Sequence, residues 1–163
     1  MASAIAHRNA TIYLMRKGLD YTGITCVFLC HDGQGNILFS KRSKNCRDEW
    51  GTWDIGAGSM RFGETIRETL IREIREEYCV QPTDILPFGM REVFREHEGE
   101  KTHWLAFDHV VQVDRDQVAI GEPDKVDELM WTTIDNLPEP MHSADKSFFE
   151  QHFGEIARIV NSQ

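Results

Sequence analysis

Three glutamates, Glu73, Glu76 and Glu77, recur at spacings of three and four in a stretch that also carries Arg72 and Arg75. On a helix these spacings set the carboxylates along one edge, within reach of one another. They repel, and just ahead of Pro82 they stand where a helix dipole is negative, so that each extra anion costs roughly 0.3–1 kcal/mol. A divalent cation reverses the sign, because Mg²⁺ takes oxygen ligands and is held by a few carboxylates, waters and phosphate oxygens. The chemistry on offer is cation-assisted attack on a phosphate. The competing reading is a solvated helix face on which Arg72 and Arg75 pair the glutamates in exposed salt bridges worth about 0–1 kcal/mol each.

The element that must position these residues is a helix. Thr65 and Glu68 form a T-x-x-E capping box, and Ile66, Leu70, Ile74 and Tyr78 repeat every four residues as an apolar stripe. Ahead of it, residues 23–30 and 36–40 read as two strands of a hairpin around the turn-rich Asp32-Gly33-Gln34-Gly35-Asn36. Residues 41–63 carry Gly51, Gly56, Gly58 and Gly63 and read as loop, with an extended piece at 53–55. Beyond Pro82, strands are expected over 88–95 and 103–113 across the charged turn 96–101, then a short strand over 128–132. Residues 133–138 read as one helical turn stopped by Pro138, and residues 147–159 as a terminal amphipathic helix. Strands on both sides of a central helix predict an α/β fold with a mixed β-sheet between helices.

The whole chain sets further bounds. Its 163 residues suit a single domain over 1–163, without internal repeat or linker. With 40% hydrophobic and 28% charged residues and no apolar run of eighteen, it reads as a soluble globular protein rather than a membrane-spanning one. Residues 1–10 lack the pattern of a signal peptide, which makes a cytoplasmic location the expectation. Cys26, Cys30, Cys46 and Cys79 form no C-x-x-C pair, so neither a zinc ribbon nor a thioredoxin-type site is supported, and Cys26 and Cys30 are expected in the core. A net charge of −9 opposes binding to nucleic-acid phosphates, yet leaves a polyphosphate accessible through a bridging cation.

Residues 58–80 resemble the Nudix box, G-x5-E-x7-R-E-U-x-E-E-x-G-U. Gly58, Glu64, Arg72, Glu73, Ile74, Glu76, Glu77 and Val80 match, and Cys79 stands where the family has glycine. A chance match of this quality is on the order of 10⁻⁸ per starting position. Trp53-Asp54-Ile55-Gly56-Ala57-Gly58 lies where many members carry W-x-L-P-G-G. The resemblance implies a Nudix-like α/β/α sandwich and a Mg²⁺-dependent hydrolase, with Mn²⁺ as an alternative, that cuts the phosphoanhydride of a nucleoside diphosphate linked to a further group. It implies that Glu73, Glu76 and Glu77 hold the metal, that the carbonyl of Ala57 adds a main-chain ligand and that Arg72 orients Glu73. Arg72 could instead be bridged to Glu76 or Glu68, and Glu64 could assist the metal or merely favour the positive helix end. At Cys79 the backbone is expected to need a positive φ, at a cost of roughly 1 kcal/mol for a non-glycine residue.

Family members often use another carboxylate outside the box. Glu128 is the first candidate here, with Asp127 and Asp124, then Glu98 and Glu100, as further choices. Trp104 and Trp131 could stack on a base or lie in the core, and Arg61 is a candidate for binding substrate. The partner implied is a small nucleotide, with no membrane or nucleic acid, and the family admits a homodimer. Nucleoside triphosphates are favoured. ADP-ribose, nucleotide sugars and dinucleotides stay open, as does a nucleotide-binding module of the same fold without catalysis.

Overall fold

A computed structural model describes residues 15–162. The reading of residues 1–10 lies outside this range. The strand β1 (Gly23–His31) is the centre of the fold, and its pattern explains the layers on either side. Cys26, Phe28 and Cys30 point to one face of the sheet, Val27 and Leu29 to the other, and all five are buried. Such a strand, apolar on both faces, must be covered on both.

The same period-2 alternation runs through its neighbours. Leu38 of β2 (Asn36–Arg42) and Val111 and Val113 of β6 (Glu100–Val113) join Cys26 and Phe28 against the helix α1 (Ile66–Tyr78). Ile37, Phe39, Ala106 and Val110 join Val27 and Leu29 against α2 (Ser143–Val160). The stripe expected on α1 supplies its buried side: Leu70, Ile74 and Tyr78 are each at most 1% exposed, and Ile66 packs at the margin. These two cores, one on each face, make the expected α/β/α sandwich.

The sheet has seven strands. Its main order is β3 (Trp53–Asp54), β2, β1, β6, β5 (Pro82–His97), while β4 (Gly56–Ser59) pairs with β1 and β7 (Val126–Thr133) with β2. Among the strands of the described residues, β1 and β6 alone pair in parallel, from Gly23↔Trp104 to His31↔Gln112. The hairpin of β1 and β2 closes at His31↔Ile37, after which the strands separate and β4 takes the place beside β1, with Cys26↔Gly58 and Val27↔Ala57 in register. β3 matches the extended piece expected at 53–55, and the segment read as loop contributes β4 in addition. Gly56 makes this approach possible, since a Cβ there would sit 1.9 Å from the ring of Phe28.

Three elements differ from the sequence reading. β5 starts at Pro82 and continues through Pro87, because an edge strand tolerates missing N–H donors at its start and at bulges, and register shifts fall between Pro82 and Asp84 and between Pro87 and Gly89. Its hairpin with β6 turns on Glu98 and Gly99 alone, both at positive φ, so the charged residues of 96–101 lie mostly in strands. Residues 134–136 form a turn after β7, with the N–H of Asn136 donating to the carbonyl of Thr133, and 133–138 hold no helix. α2 starts four residues earlier than its apolar pattern indicates. Glu49 accepts from both the backbone N–H and the hydroxyl of Ser143, satisfying a free helix-start donor from a distant loop. No helix among the described residues is long and apolar enough to cross a membrane.

α1 begins with the capping box. The hydroxyl of Thr65 accepts from the N–H of Glu68, and the carboxylate of Glu68 accepts from the N–H of Thr65. It ends at Cys79, which adopts φ 57° and ψ 16°. Cys79 is exposed, and its thiol is free. Because a left-handed residue without a Cβ carries no steric penalty, Cys79→Gly is expected to stabilise the fold by about 1 kcal/mol. A shift of the urea midpoint to higher concentration with an unchanged slope would show this; an unchanged or lower midpoint would contradict it.

Candidate active site

Glu73, Glu76 and Glu77 line one acidic cleft with Ala57 and Gly58 of β4, and the cleft measures about 460 Å³. The backbone of β4 approaches α1 so closely that a Cβ on Gly58 would lie 1.9 Å from the carboxyl carbon of Glu73. Glycine at this position therefore leaves the room that the Glu73 side chain occupies.

Arg72 organises the near side of the cluster. Its Nε and Nη2 donate to the two oxygens of Glu64 at 2.7 and 2.8 Å, a bidentate pair. Its Nη1 donates to Glu73 and, at 3.2 Å, to Glu76. Thr69 and the backbone N–H of Arg61 also donate to Glu64. These bonds, that of Arg72 foremost, hold the Glu64 carboxyl down at about 2. Glu64 thus faces the guanidinium, with both oxygens taken, and Arg72 bridges Glu64, Glu73 and Glu76 together. Glu68 is engaged by Thr65 instead. Arg61 reaches from the loop to 3.4 Å from Glu76 and lines the cleft.

Glu77 is different. Burial pushes its carboxyl well above the ordinary range, and the negative charges of Asp54, Glu73 and Glu122 push it further. Burial also raises Glu73, against the opposing pull of Arg72. Several carboxylates thus converge on one space with too few cations among them. The donor set is all oxygen, with the backbone of Ala57 and Gly58 alongside, and it fits a hard divalent ion such as Mg²⁺.

Three charged residues of this cleft carried no assignment from sequence. Glu122 enters it from the segment after β6, and Lys17 and Lys125 flank it. The segment is docked on the end of α1: the N–H of Ala119 donates to the carbonyl of Tyr78, and that of Gly121 to Glu77 at 2.8 Å. Gly121 lies so near that a Cβ would be 2.0 Å from the carbonyl oxygen of Glu76. The one available signal was this glycine, next to Glu122 in the segment that also holds Glu128. Lys17 donates to the Ser59 hydroxyl and the Met60 carbonyl, both at 2.6 Å, and Lys125 pairs with Glu122 at 2.8 Å.

The carboxylates proposed from sequence as the outside member lie elsewhere. Glu128 sits opposite Lys41 on the β2–β7 ladder, 57% exposed, with its carboxylate 3.8 Å from the Lys41 ammonium. Alternation along β7 decides this and is invisible without the strand register. Asp127 and Asp124 are exposed, Glu100 pairs with Arg16, and Glu98 occupies the β5–β6 turn. Trp131 packs at the margin of the α1-side core beneath the guanidinium of Arg115.

A second cavity of about 310 Å³ adjoins the acidic cleft and shares Ala57 and Ser59 with it. Val27, Val93, Trp104 and Ala106 form apolar walls, and Arg42, Asp54, His142 and Asp145 are among its polar groups. Trp104 is here, its indole held against Gly18 and Gly23. The arginines around this space are paired: Arg42 with Asp48 and Asp54, Arg95 with Asp48 and Glu49, Arg91 with Asp108.

The fold is an α/β/α sandwich in which an acidic helix edge faces a glycine-bearing strand. The sequence model of the NUDIX domain matches residues 21–152, and the chain belongs to the Nudix family. Among solved structures it is similar to a MutT Nudix hydrolase from Burkholderia pseudomallei, with 25% identity and a TM-score of 0.70 over 80% of this chain and 98% of that one. A MutT protein from Methanosarcina mazei, at 24% identity and a TM-score of 0.63, shares the fold over 83% of this chain and 95% of that one. So does the NUDIX domain of Shewanella oneidensis NrtR, complexed with ADP ribose, at 17% identity and a TM-score of 0.66 over 83% and 89%. A comparison with curated proteins returns no match. The protein is a Nudix hydrolase.

The raised Glu77 carboxyl has a consequence for stability. Its folded-state pKa lies above the unfolded value, so the ionised form opposes folding at neutral pH, and the opposition fades as pH falls through the raised pKa. Glu77→Gln is expected to raise the Tm of the protein in EDTA at about pH 8, with the gain shrinking toward zero near about pH 4. Thermal unfolding at both pH values tests this, and a variant less stable than wild type at the higher pH would contradict it.

Proposed function

We propose that this Nudix hydrolase cleaves the phosphoanhydride of a nucleoside diphosphate linked to a further group, in a Mg²⁺-dependent reaction with Mn²⁺ as a substitute, and that nucleoside triphosphates are the favoured substrates. The observation that carries the reading is the gathering of Glu73, Glu76, Glu77 and Glu122 in one cleft, beside a chamber large enough for a nucleoside. Glu73, Glu76, Glu77 and the Ala57 carbonyl would hold the ions. When bound, these would neutralise phosphate charge and activate water for in-line attack.

The protein's own groups have separable tasks. Arg72, tied to Glu64, positions Glu73 and Glu76. Glu122 supplies the carboxylate outside the box, as ligand or proton acceptor, in the place first sought at Glu128. The ammonium groups of Lys17 and Lys125 and the guanidinium of Arg61 border the cleft and suit the extra charge of a polyphosphate. The base or sugar would enter the adjoining cavity against Trp104, Val93 and Ala106. The net charge of −9 favours a small nucleotide over a nucleic acid as partner. ADP-ribose is the second choice, because a protein of the same fold binds it.

Hydrolysis of nucleoside triphosphates, ADP-ribose, nucleotide sugars and dinucleoside polyphosphates, with Mg²⁺, with Mn²⁺ and with EDTA, tests the reading. Glu76→Gln and Glu77→Gln are expected to lower turnover by two or more orders of magnitude, on the order of what a lost metal or electrostatic contact costs. Full activity in both folded variants would refute the role of the cluster. Binding without turnover by the wild type would instead indicate a module that has lost catalysis.

A further inference from the structure

Outside the acidic cleft, Asp54 at the end of β3 meets His142 and Asp145 at the start of α2. One potential ligand atom from each lies within 4.8 Å of the other two. His142 is 6% exposed, and neither of its ring nitrogens has a hydrogen-bond partner among the described residues. Its nearest anion outside the trio is Glu49, whose Oε1 is 3.5 Å from Nε2 and already accepts from Ser143 and Arg95. Asp145 is 4% exposed, and its Oδ2 accepts from the N–H of Ile55. One oxygen of Asp54 accepts from Arg42, leaving the other.

Buried imidazole nitrogens without partners are rare, and the half-buried carboxylate of Asp54 repels the buried carboxylate of Asp145 beside it. A single cation that takes one lone pair from each residue removes both costs. The neighbouring arginine does not forbid it, because Arg42 is matched by Asp48 as well as Asp54. The set also differs in kind from the cleft on α1. That cleft offers oxygen alone, whereas an imidazole with two carboxylates suits a transition metal and leaves a coordination position open. The open side faces the 310 Å³ cavity, which Asp54, His142 and Asp145 all line.

We propose that Asp54, His142 and Asp145 form a second metal site, for a divalent transition metal of the Zn²⁺ type, distinct from the carboxylate cluster of α1. Placed on the cavity wall, the ion would present its open position to the part of a substrate that lies beyond the phosphates.

The test is retention of Zn²⁺ by the full chain during dialysis in a large excess of Mg²⁺, which occupies oxygen-only sites. One Zn²⁺ per chain is expected in the wild type and in Glu77→Gln, with at least tenfold weaker retention in His142→Ala and Asp145→Asn of unchanged circular dichroism. Absence of retention in the wild type overturns the proposal. So does retention that survives His142→Ala or is lost in Glu77→Gln, since the ion then sits on α1. If the two variants alter nucleotide selectivity while Zn²⁺ retention stays at the wild-type level, the trio is a substrate-contacting surface without metal, and the proposal fails. Should a variant not fold, the assigned ring-nitrogen signals of His142 in wild type decide: a stoichiometric shift with Zn²⁺ supports the site, and no shift overturns it.

Discussion

The site depends on one electrostatic problem: carboxylates gathered at the negative end of a helix. Glu73, Glu76 and Glu77 repel one another and the dipole of α1, and burial makes the charge on Glu77 costlier still. Arg72 meets part of this demand, gripping Glu64 with two bonds while reaching Glu73 and Glu76 with its third nitrogen. Arg72 does not reach Glu77, whose carboxyl is raised by burial and by the charges of Asp54, Glu73 and Glu122. The protein keeps this unfavourable arrangement in the acidic cleft and supports it by packing elsewhere.

That support comes from β1. A strand buried on both faces fixes the distance between the two helices, and its split pairing, with β2 at one end and β4 at the other, brings the Ala57–Gly58 backbone under α1. Glycine at 56 and 58 permits the approach on the two sides of β4, one against Phe28 and one against Glu73. The end of α1 is held in turn by Cys79 in the left-handed conformation and by the segment 119–121 bonded to its last carbonyls. Helix end, strand and segment thus meet at the cleft, and none of them could form it alone.

The neighbouring cavity shows how the other face takes part. α2 packs on the far side of the sheet, yet its start reaches the cavity wall through Asp145 and the preceding His142. Its start is set by Glu49, which lies in the loop between β2 and β3 and also pairs with Arg95 of β5. The ion pairs of Arg42 and Arg95 with Asp48 continue this network, so the cavity rim is a chain of matched charges around an apolar floor.

The amino-acid sequence by itself determined the parts governed by local periodicity. The capping box and four-residue stripe specify α1, the apolar run bounded by turn residues specifies a strand over 23–30, and the spacing of Arg72, Glu73, Glu76 and Glu77 puts them on one helix edge. Cys79 was legible as a strained end because left-handed geometry is a property of one residue's backbone. What only the tertiary structure decided was everything resting on register or on distant segments meeting. Strand register turned Glu128 toward Lys41, and the docking of Gly121 on α1 brought Glu122 to the cleft instead. Edge position let β5 run through two prolines, and Glu49 lengthened α2 beyond its apolar pattern. The physical reason is common to these cases: a residue's neighbours along the chain set its conformation, whereas its partner across a sheet or at a helix end is chosen by packing of the whole.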